Sequence, residues 1–328
     1  MEQKALRISA LVLAVALGLR LLSAAAPAFT LTPQVTAWML FFQTGRLVRP
    51  ANITFSASPE SEQPTISVPQ IITPDPEPTV VTFSPEDVSL LSVNCSFDYS
   101  ADLSALLTQP LNWDLTGTDP TVLILHSHAT ESFTPTGDYT ETTAYHTADT
   151  SHNMISVGAY LAQFLEEGGI QVIHDTTPHD SPSYNEAYTN SRKSVQTYLD
   201  TYPSIQLVLD LHRDSIEDTQ GNQVVRSVFS QGTTLANLMF VVGTDYGGWE
   251  HPQWQENLSV ALKLQTQLER LCPGICRSIN LRSQRFNQDL SAGALLIEVG
   301  SCGNTHAEAL RSARLLGEAI LSLAHGSI

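Results

Sequence analysis

Two patterns of apolar residues alternate along the last two thirds of the chain. Short, nearly continuous apolar runs occur at 121–125 (TVLIL), 170–173, 205–211 (IQLVLDL), 238–242 (LMFVV) and 294–299 (ALLIEV). Runs of that length without polar alternation predict strands covered on both faces. Between them lie longer stretches whose apolar positions return every three or four residues: 153–167, 185–201, about 254–271 and 304–324. The first of these stops at Gly168-Gly169, and the last opens with Thr305 and Glu308 at the spacing of a capping box. Strands taking turns with helices predict an α/β fold, a three-layer sandwich around a mostly parallel central sheet. Ahead of this region, 88–93 and 103–111 read as a short strand and a short helix.

The first third follows neither pattern. After the cationic flank of Lys4 and Arg7, apolar residues run from Ile8 to Leu19, break at Arg20 and resume from Leu21 to Phe29. Together the blocks are long enough for a single membrane span with Arg20 snorkelling. The small residues Ala24-Ala25-Ala26 equally suit a cleaved export signal. Residues 50–85 then hold eight prolines, and 50–118 carry nine acids with no Lys or Arg. Such a stretch buries too little apolar surface to fold, and its prolines keep it extended. The expected organisation is an export signal or anchor at 1–49, a Pro-rich acidic stalk at 50–86, a lead-in segment packing on the catalytic domain at 87–118, and that domain at 119–328.

Charge narrows the partners. Sixteen Lys and Arg against thirty-three Asp and Glu leave a net charge of −17. A surface this acidic repels phosphate backbones, which argues against nucleic acid, and repels anionic lipid, which leaves the apolar N-terminal segment as the route to a membrane. The four cysteines fit neither a disulfide scaffold nor a Cys-rich metal site. Cys272 and Cys276 are one residue too far apart for a C-x-x-C motif and are expected to be small buried residues.

Three of the predicted strands end in residues that can bind metal or move protons. The first leads into His126-Ser127-His128-Ala129-Thr130-Glu131, the second contains Asp210-Leu211-His212-Arg213-Asp214, and the third ends Ile297-Glu298-Val299. In open α/β sheets, sites collect at the carboxyl ends of strands. His128 and Glu131 form an H-x-x-E pair, and His212 from a neighbouring strand supplies a third corner. Two His and one Glu with an open position make a catalytic Zn²⁺ set, in which the bound water ionises near neutral pH. Glu298, behind three apolar residues, is the expected proton carrier. Each group alone has a plainer reading, as a core histidine or a paired core carboxylate. Three such residues at equivalent strand ends are harder to explain that way, because buried charge is costly unless paired or metal-bound. Arg213 either stabilises an oxyanion or fixes a carboxylate, and a salt bridge to Asp214 or Asp210 competes with both roles. His126 alternates with His128 and is expected behind the ligands, with the exchanged role open. Asp214 and Asn287 are expected around the site or on substrate. His146, His152, His174, His179, His251, His306 and His325 lack a strand-end context and read as surface or structural. The chain has no Gly-rich phosphate loop, no G-x-S-x-G elbow and no cysteine nucleophile.

The segments HSHATESF, NMISVGAYLAQFLEEGGIQVIHD, YNEAYTNSRKSVQTYL, IQLVLDLHRDS and FNQDLSAGALLIEVGSCGNTHAEA resemble, in order and spacing, the stage II sporulation protein P family, from about residue 88 to the end. The resemblance implies a peptidoglycan hydrolase, N-acetylmuramoyl-L-alanine amidase and endopeptidase. It also implies action between mother cell and forespore during engulfment, beside the lytic transglycosylase stage II sporulation protein D. The implied fold is similar to zinc amidases of the cell wall and to zinc carboxypeptidases. The latter carry an H-x-x-E pair, a distant His and a later Glu, matching His128, Glu131, His212 and Glu298. The amidases take a Glu from the start of the first helix. Residues 149–153 offer no well-placed acid there, which leaves Glu131, with His152 as the fallback ligand. Two rival functions remain, a carboxypeptidase-like hydrolase of free peptides and a catalytically silent cell-wall binding module.

Overall fold

The computed structural model describes residues 81–136 and 145–326. The expected anchor at 1–49 and residues 50–80 of the expected stalk lie outside them. Among the described residues no helix is long and apolar enough to cross a membrane.

A seven-stranded sheet forms the middle layer. Its strands are β1 (Val93–Cys95), β2 (Val122–Leu125), β3 (Val172–His174), β4 (Leu207–Asp214), β7 (Leu238–Gly243), β8 (Ile279–Arg282) and β9 (Ala294–Ser301), in the spatial order β1-β8-β7-β9-β4-β2-β3. The remaining two, β5 (Ser227–Ser230) and β6 (Thr233–Ala236), form a separate antiparallel hairpin. The helices are α1 (Leu103–Thr108), α2 (Met154–Glu167), α3 (Ala187–Thr201), α4 (Trp254–Leu271) and α5 (His306–Leu323). The mostly parallel three-layer α/β sandwich read from the pattern is the one observed.

All neighbours in the sheet pair in parallel except β7 and β9, which are antiparallel. The connections explain the reversal. The chain leaves the end of β4 through the β5–β6 hairpin and turns straight back into β7, and a direct return of that kind makes an antiparallel pair. Helical crossovers follow the other parallel pairings. As a result β2, β4 and β9 all finish at the same end of the sheet.

One face of the sheet is covered by α2, α4 and α5 through a core that includes Ile124, Leu209, Phe240, Ile297, Leu161, Leu262 and Leu316. The other face is covered over β2 and β4 by α3, through Val195 packed with Leu123, Leu125 and Val208. Helix starts and stops follow local chemistry. The Asn153 side chain accepts from Ile155 N to cap α2, and Gly169 takes φ 89° just past its end. Thr305 and Glu308 form the capping box of α5.

The lead-in segment adds the outermost strand. β1 pairs with β8, and α1 lies on α4. The expected strand at 88–93 is instead a 3-10 turn, Pro85–Leu90, with pairing only from Val93. Within the nominal stalk, Val81 and Phe83 pack on the core while Thr82, Pro85 and Glu86 stay exposed. Phe83 is buried in the core, with the Arg270 guanidinium 5.1 Å and Lys263 Nζ 5.8 Å from its ring centroid. Lys263 itself is fully buried and donates to Leu106 O at 2.8 Å and Ser259 Oγ at 3.0 Å, fastening α1 to α4. Burial pulls its pKa down to about 8. All four cysteines are free thiols. Cys272 is buried as expected, whereas Cys276, also expected to be buried, is only partly covered; Cys302 is buried and Cys95 partly covered.

If the domain begins near residue 81, Phe83→Ala lowers its stability by about 3 kcal/mol, the usual loss for truncating a buried aromatic ring. Urea unfolding measures it, and an unchanged midpoint would mean that Phe83 contributes no packing.

Candidate active site

The site is assembled where β2, β4 and β9 end, on the face that carries α3. Residues 210 and 212 of β4 and 296 and 298 of β9 point to this face by alternation, and His212 pairs in register with Glu298. After β2 the chain turns so that Glu131 N donates to His128 O at 3.3 Å. The same turn is sewn to the start of α2, where Met154 N donates to Glu131 O at 3.0 Å. Thr130 anchors it from the other side, giving Asp180 Oδ2 bonds of 3.1 Å from its amide and 2.6 Å from its hydroxyl.

This brings His128, Glu131 and His212 together, with one ligand atom from each lying within 4.8 Å of the others; all three residues are buried. His128 Nδ1 is 3.6 Å from Glu131 Oε1, and His212 Nδ1 is 3.5 Å from Glu131 Oε2. A tetrahedral shell with bonds of roughly 2.0–2.2 Å separates its ligand atoms by roughly 3.3–3.6 Å. The donor set therefore suits a small divalent ion, with Glu131 presenting a different oxygen to each imidazole and one ligand atom from each residue within 4.8 Å of the others.

The three groups are held from behind. Arg213 binds Glu131 through its backbone N–H at 3.1 Å and Nη1 at 3.3 Å, while its other nitrogens donate to Ser132 O at 2.9 Å and Tyr145 O at 2.8 Å. Burial pushes the Glu131 carboxyl up, but Arg213 and the two histidines outweigh it and hold the pKa well below the usual range. His212 Nε2 lies 2.9 Å from Asp210 Oδ1, off the line a hydrogen bond needs. Burial lowers the His212 pKa, and the Asp210 charge more than reverses this. Asp210 is fixed in turn by the Ser127 amide at 2.8 Å and hydroxyl at 2.6 Å. A carboxylate behind a metal-binding imidazole is a recurrent way of setting its tautomer and orientation.

Glu298 stands apart from these pairs. Its Oε2 is closed off from solvent and has no hydrogen-bond partner. Burial raises its pKa, with help from Glu131 and Asp214 and against His212 and Arg213, to about 8.

The remaining expected residues are placed differently. Arg213 pairs with neither Asp210 nor Asp214. Its donors are taken by Glu131 and two carbonyls, so it fixes the carboxylate and has no aim toward an oxyanion. Asp214 turns away to Arg277 at 2.6 Å. Asn287 donates to Tyr188 O at 2.8 Å and Ser191 Oγ at 3.1 Å, so it braces α3. His126 bonds Leu211 O at 3.1 Å and His174 Nε2 at 2.9 Å, under Gly158 of α2, where any Cβ would overlap both rings. Its place is between sheet and helix. His152 is occupied by Asp149 at 2.9 Å and is not one of the clustered residues.

Three contributors had no signal in the strand-end pattern. Tyr184 stacks on the His128 ring at 4.2 Å, and Tyr188 stacks on His212 at 6.2 Å and meets His128 edge-on at 5.3 Å. Both come from the start of the α3 region, which the helical pattern located without revealing what lay beneath it. His146 contacts Thr130 Oγ1 at 3.0 Å and Arg213 Nη2 at 3.3 Å, and bridges Glu131 through the backbone.

Comparison with known proteins bears on this arrangement. A family model described as Stage II sporulation protein P (SpoIIP) matches residues 58–321. The chain belongs to that family. Stage II sporulation protein P of Bacillus subtilis (strain 168) is 29% identical over 211 residues, covering 60% of this chain and 49% of that protein. The chain thus spans about half the length of the curated relative it matches. Among solved structures, N-acetylmuramoyl-L-alanine amidase AmiC2 of Nostoc punctiforme aligns with a TM-score of 0.37, and the N-acetylmuramoyl-L-alanine amidase from Clostridium difficile 630 with 0.38. Each is 13% identical and covers 63% of this chain and 97% of its own. A likeness of that degree adds nothing to the family match.

In this member of the stage II sporulation protein P family the half-buried Glu298 carboxyl, with its Oε2 closed off, yields a pH signature. A carboxyl that ionises near 4.5 when unfolded and near 8 when folded holds an extra proton in the folded state across that window. Folded stability therefore falls as pH rises from about 4.5 to about 8 and levels off above. Glu298→Gln removes this term, so in metal-free protein the variant gains on the parent as pH rises through the window. Thermal melts of both proteins measure it, and a pH-independent difference would show that ionising Glu298 costs the fold nothing.

Proposed function

We propose that the chain is a zinc-dependent peptidoglycan hydrolase that cuts amide bonds of the stem peptides, as an N-acetylmuramoyl-L-alanine amidase, an endopeptidase or both. The observation that carries this reading is the joining of a two-His, one-Glu ligand cluster with a separate, half-buried carboxylate that makes no hydrogen bond, on one sheet face. Membership of the stage II sporulation protein P family supplies the substrate class and the setting in sporulation.

His128, Glu131 and His212 would hold the ion. When bound, zinc supplies a Lewis acid for the scissile carbonyl and makes the attacking water more acidic. Glu298 accepts the proton of that water on its carboxylate and returns it to the leaving nitrogen. A group that ionises close to neutral pH is suited to both halves of such a transfer. Arg213 and Asp210 keep Glu131 and His212 in place, and the Tyr184 and Tyr188 rings wall the ligands. Tyr184 is half exposed, so the site faces solvent on that side.

A hydrolase of free peptides needs a cation for the terminal carboxylate. Arg213 is spent on Glu131, Arg277 on Asp214, and Arg192 and Arg285 both on Asp289. The exposed Arg282 has no ion pair among the described residues but closes β8 at the end of the sheet away from the site. That pairing weighs against the carboxypeptidase-like reading, and the intact proton carrier weighs against a silent binding module. The family setting and the apolar blocks at 8–29 support a membrane-held enzyme outside the cytoplasm, in the space between mother cell and forespore, beside the lytic transglycosylase stage II sporulation protein D.

Substitutions separate the roles. His212→Ala and Glu131→Gln should lose both bound zinc and muropeptide release. Glu298→Gln should keep near-stoichiometric zinc while turnover falls by roughly 10²–10⁴-fold. Metal analysis together with mass spectrometry of released muropeptides measures both. Zinc retained by Glu131→Gln but lost by His152→Ala would move the third ligand to the start of α2.

A further inference from the structure

On the face that carries the site, α3 covers β2 and β4, and its Tyr188 packs with Phe286 over Met239 and Val241 of β7, but β1 and β8 are left open beside them. A groove of about 420 Å³ lies there, within the usual range of small-ligand clefts, roughly 300–1,000 Å³. Ser92, Asn94, Ser278, Asn280 and Arg277 line it, over a floor of Met239. Register ties this groove to the catalytic end. Asn94 pairs with Asn280 and Asn280 with Val241, so both amides project on the same face as Val241. One step along that face, Ser92 and Ser278 share a hydroxyl contact of 2.7 Å, and Met239 pairs with Glu298, which pairs with His212. Met239 is thus both the floor of the groove and the direct cross-strand neighbour of Glu298, about 5 Å away, close enough for one extended substrate to occupy both.

The lining is polar and electrically balanced. Arg277 is its one charged side chain, and Asp214 neutralises it at 2.6 Å. The side-chain amides of Asn94 and Asn280 make no hydrogen bond to the described residues, although each offers two donors and an acceptor. Free amides and hydroxyls over an apolar thioether match a neutral ligand rich in hydroxyl and acetamido groups. They do not match the carboxylate-bearing stem peptide, which would find no uncompensated cation there and an acidic protein around it.

We propose that this groove is a subsite for the glycan strand, taking an N-acetylated sugar on the β1–β8–β7 side of the scissile amide. The proposal rests on the peptidoglycan reading above and adds which part of the substrate lies where. The peptide then leaves on the opposite side, under Tyr184.

Calorimetry on the full chain tests this with two probes, a peptide-free tetramer of β-1,4-linked N-acetylglucosamine and a sugar-free stem peptide. The tetramer should bind, and Asn94→Ala/Asn280→Ala should weaken it by about tenfold, as expected from losing several neutral hydrogen bonds. Peptide binding should not change. Neither amide supports the fold, so the double variant should melt with the parent. Absence of tetramer binding, equal binding by the variant, or a loss confined to the peptide would overturn the assignment. Amide cleavage is scored separately. Tetramer binding through the asparagines without any peptidoglycan cleavage would leave the subsite standing and sink the enzymatic reading, whereas cleavage without such binding would do the reverse.

Discussion

The pairing of Arg213 with the Glu131 carboxylate is the constraint on which the candidate site depends. Both side chains are almost fully buried, and an unpaired charge in that position would cost several kcal/mol. Arg213 meets the cost with a backbone amide and a planar fork, and the fork reaches two loop carbonyls as well. Glu131 hangs from the turn after β2, while Arg213 belongs to β4, so one ion pair locks a loop to the rigid centre of the sheet. A lysine at 213 could not do this, because a single ammonium cannot span a carboxylate and two carbonyls in fixed directions. His212 is then set by its own strand and by Asp210, and only Glu298 is left uncompensated. Such a division, with every charge but one tied down, is what the proposed role of Glu298 requires.

The sheet topology serves the same end. Reversing β7 lets the chain come back beside β9 directly, without an additional crossover helix. It thereby leaves β1 and β8 bare of helix on one face, near the working strands. The opposite face, sealed by α2, α4 and α5, supplies the apolar burial. Function is thus confined to a face that the core does not need to cover.

Much of this was legible in the chain because burial on both faces leaves a strong mark. Leu207–Asp214 and Ala294–Ser301 announce themselves as strands, and a histidine or glutamate inside such a run is conspicuous. Capping chemistry placed the start of α5 for the same reason. What escaped was short or depended on distant partners. β8 is four residues with alternating cover and gave no continuous run. The roles of Tyr184, Tyr188 and His146 arise from which turns fold over the ligands, and no local spacing records that. Arg213 was visible, but its choice of Glu131 over the adjacent Asp214 was not, because side-chain direction follows strand alternation and the site of a bulge between His212 and Asp214. Phe83 was masked by the prolines around it, whose composition argues for extension even where one aromatic ring finds a pocket.

The outermost strand has a consequence for the order of assembly. Ser92 meets Ser278 across 186 positions of chain, so the first strand of the sheet is completed by nearly the last. Closing so long a loop is entropically slow and must await α4 and β8. In a polypeptide delivered amino end first, β1 and the Phe83 ring emerge long before anything exists to receive them. The segment from Val81 to Cys95 therefore docks late, and until it does the sheet has a raw edge.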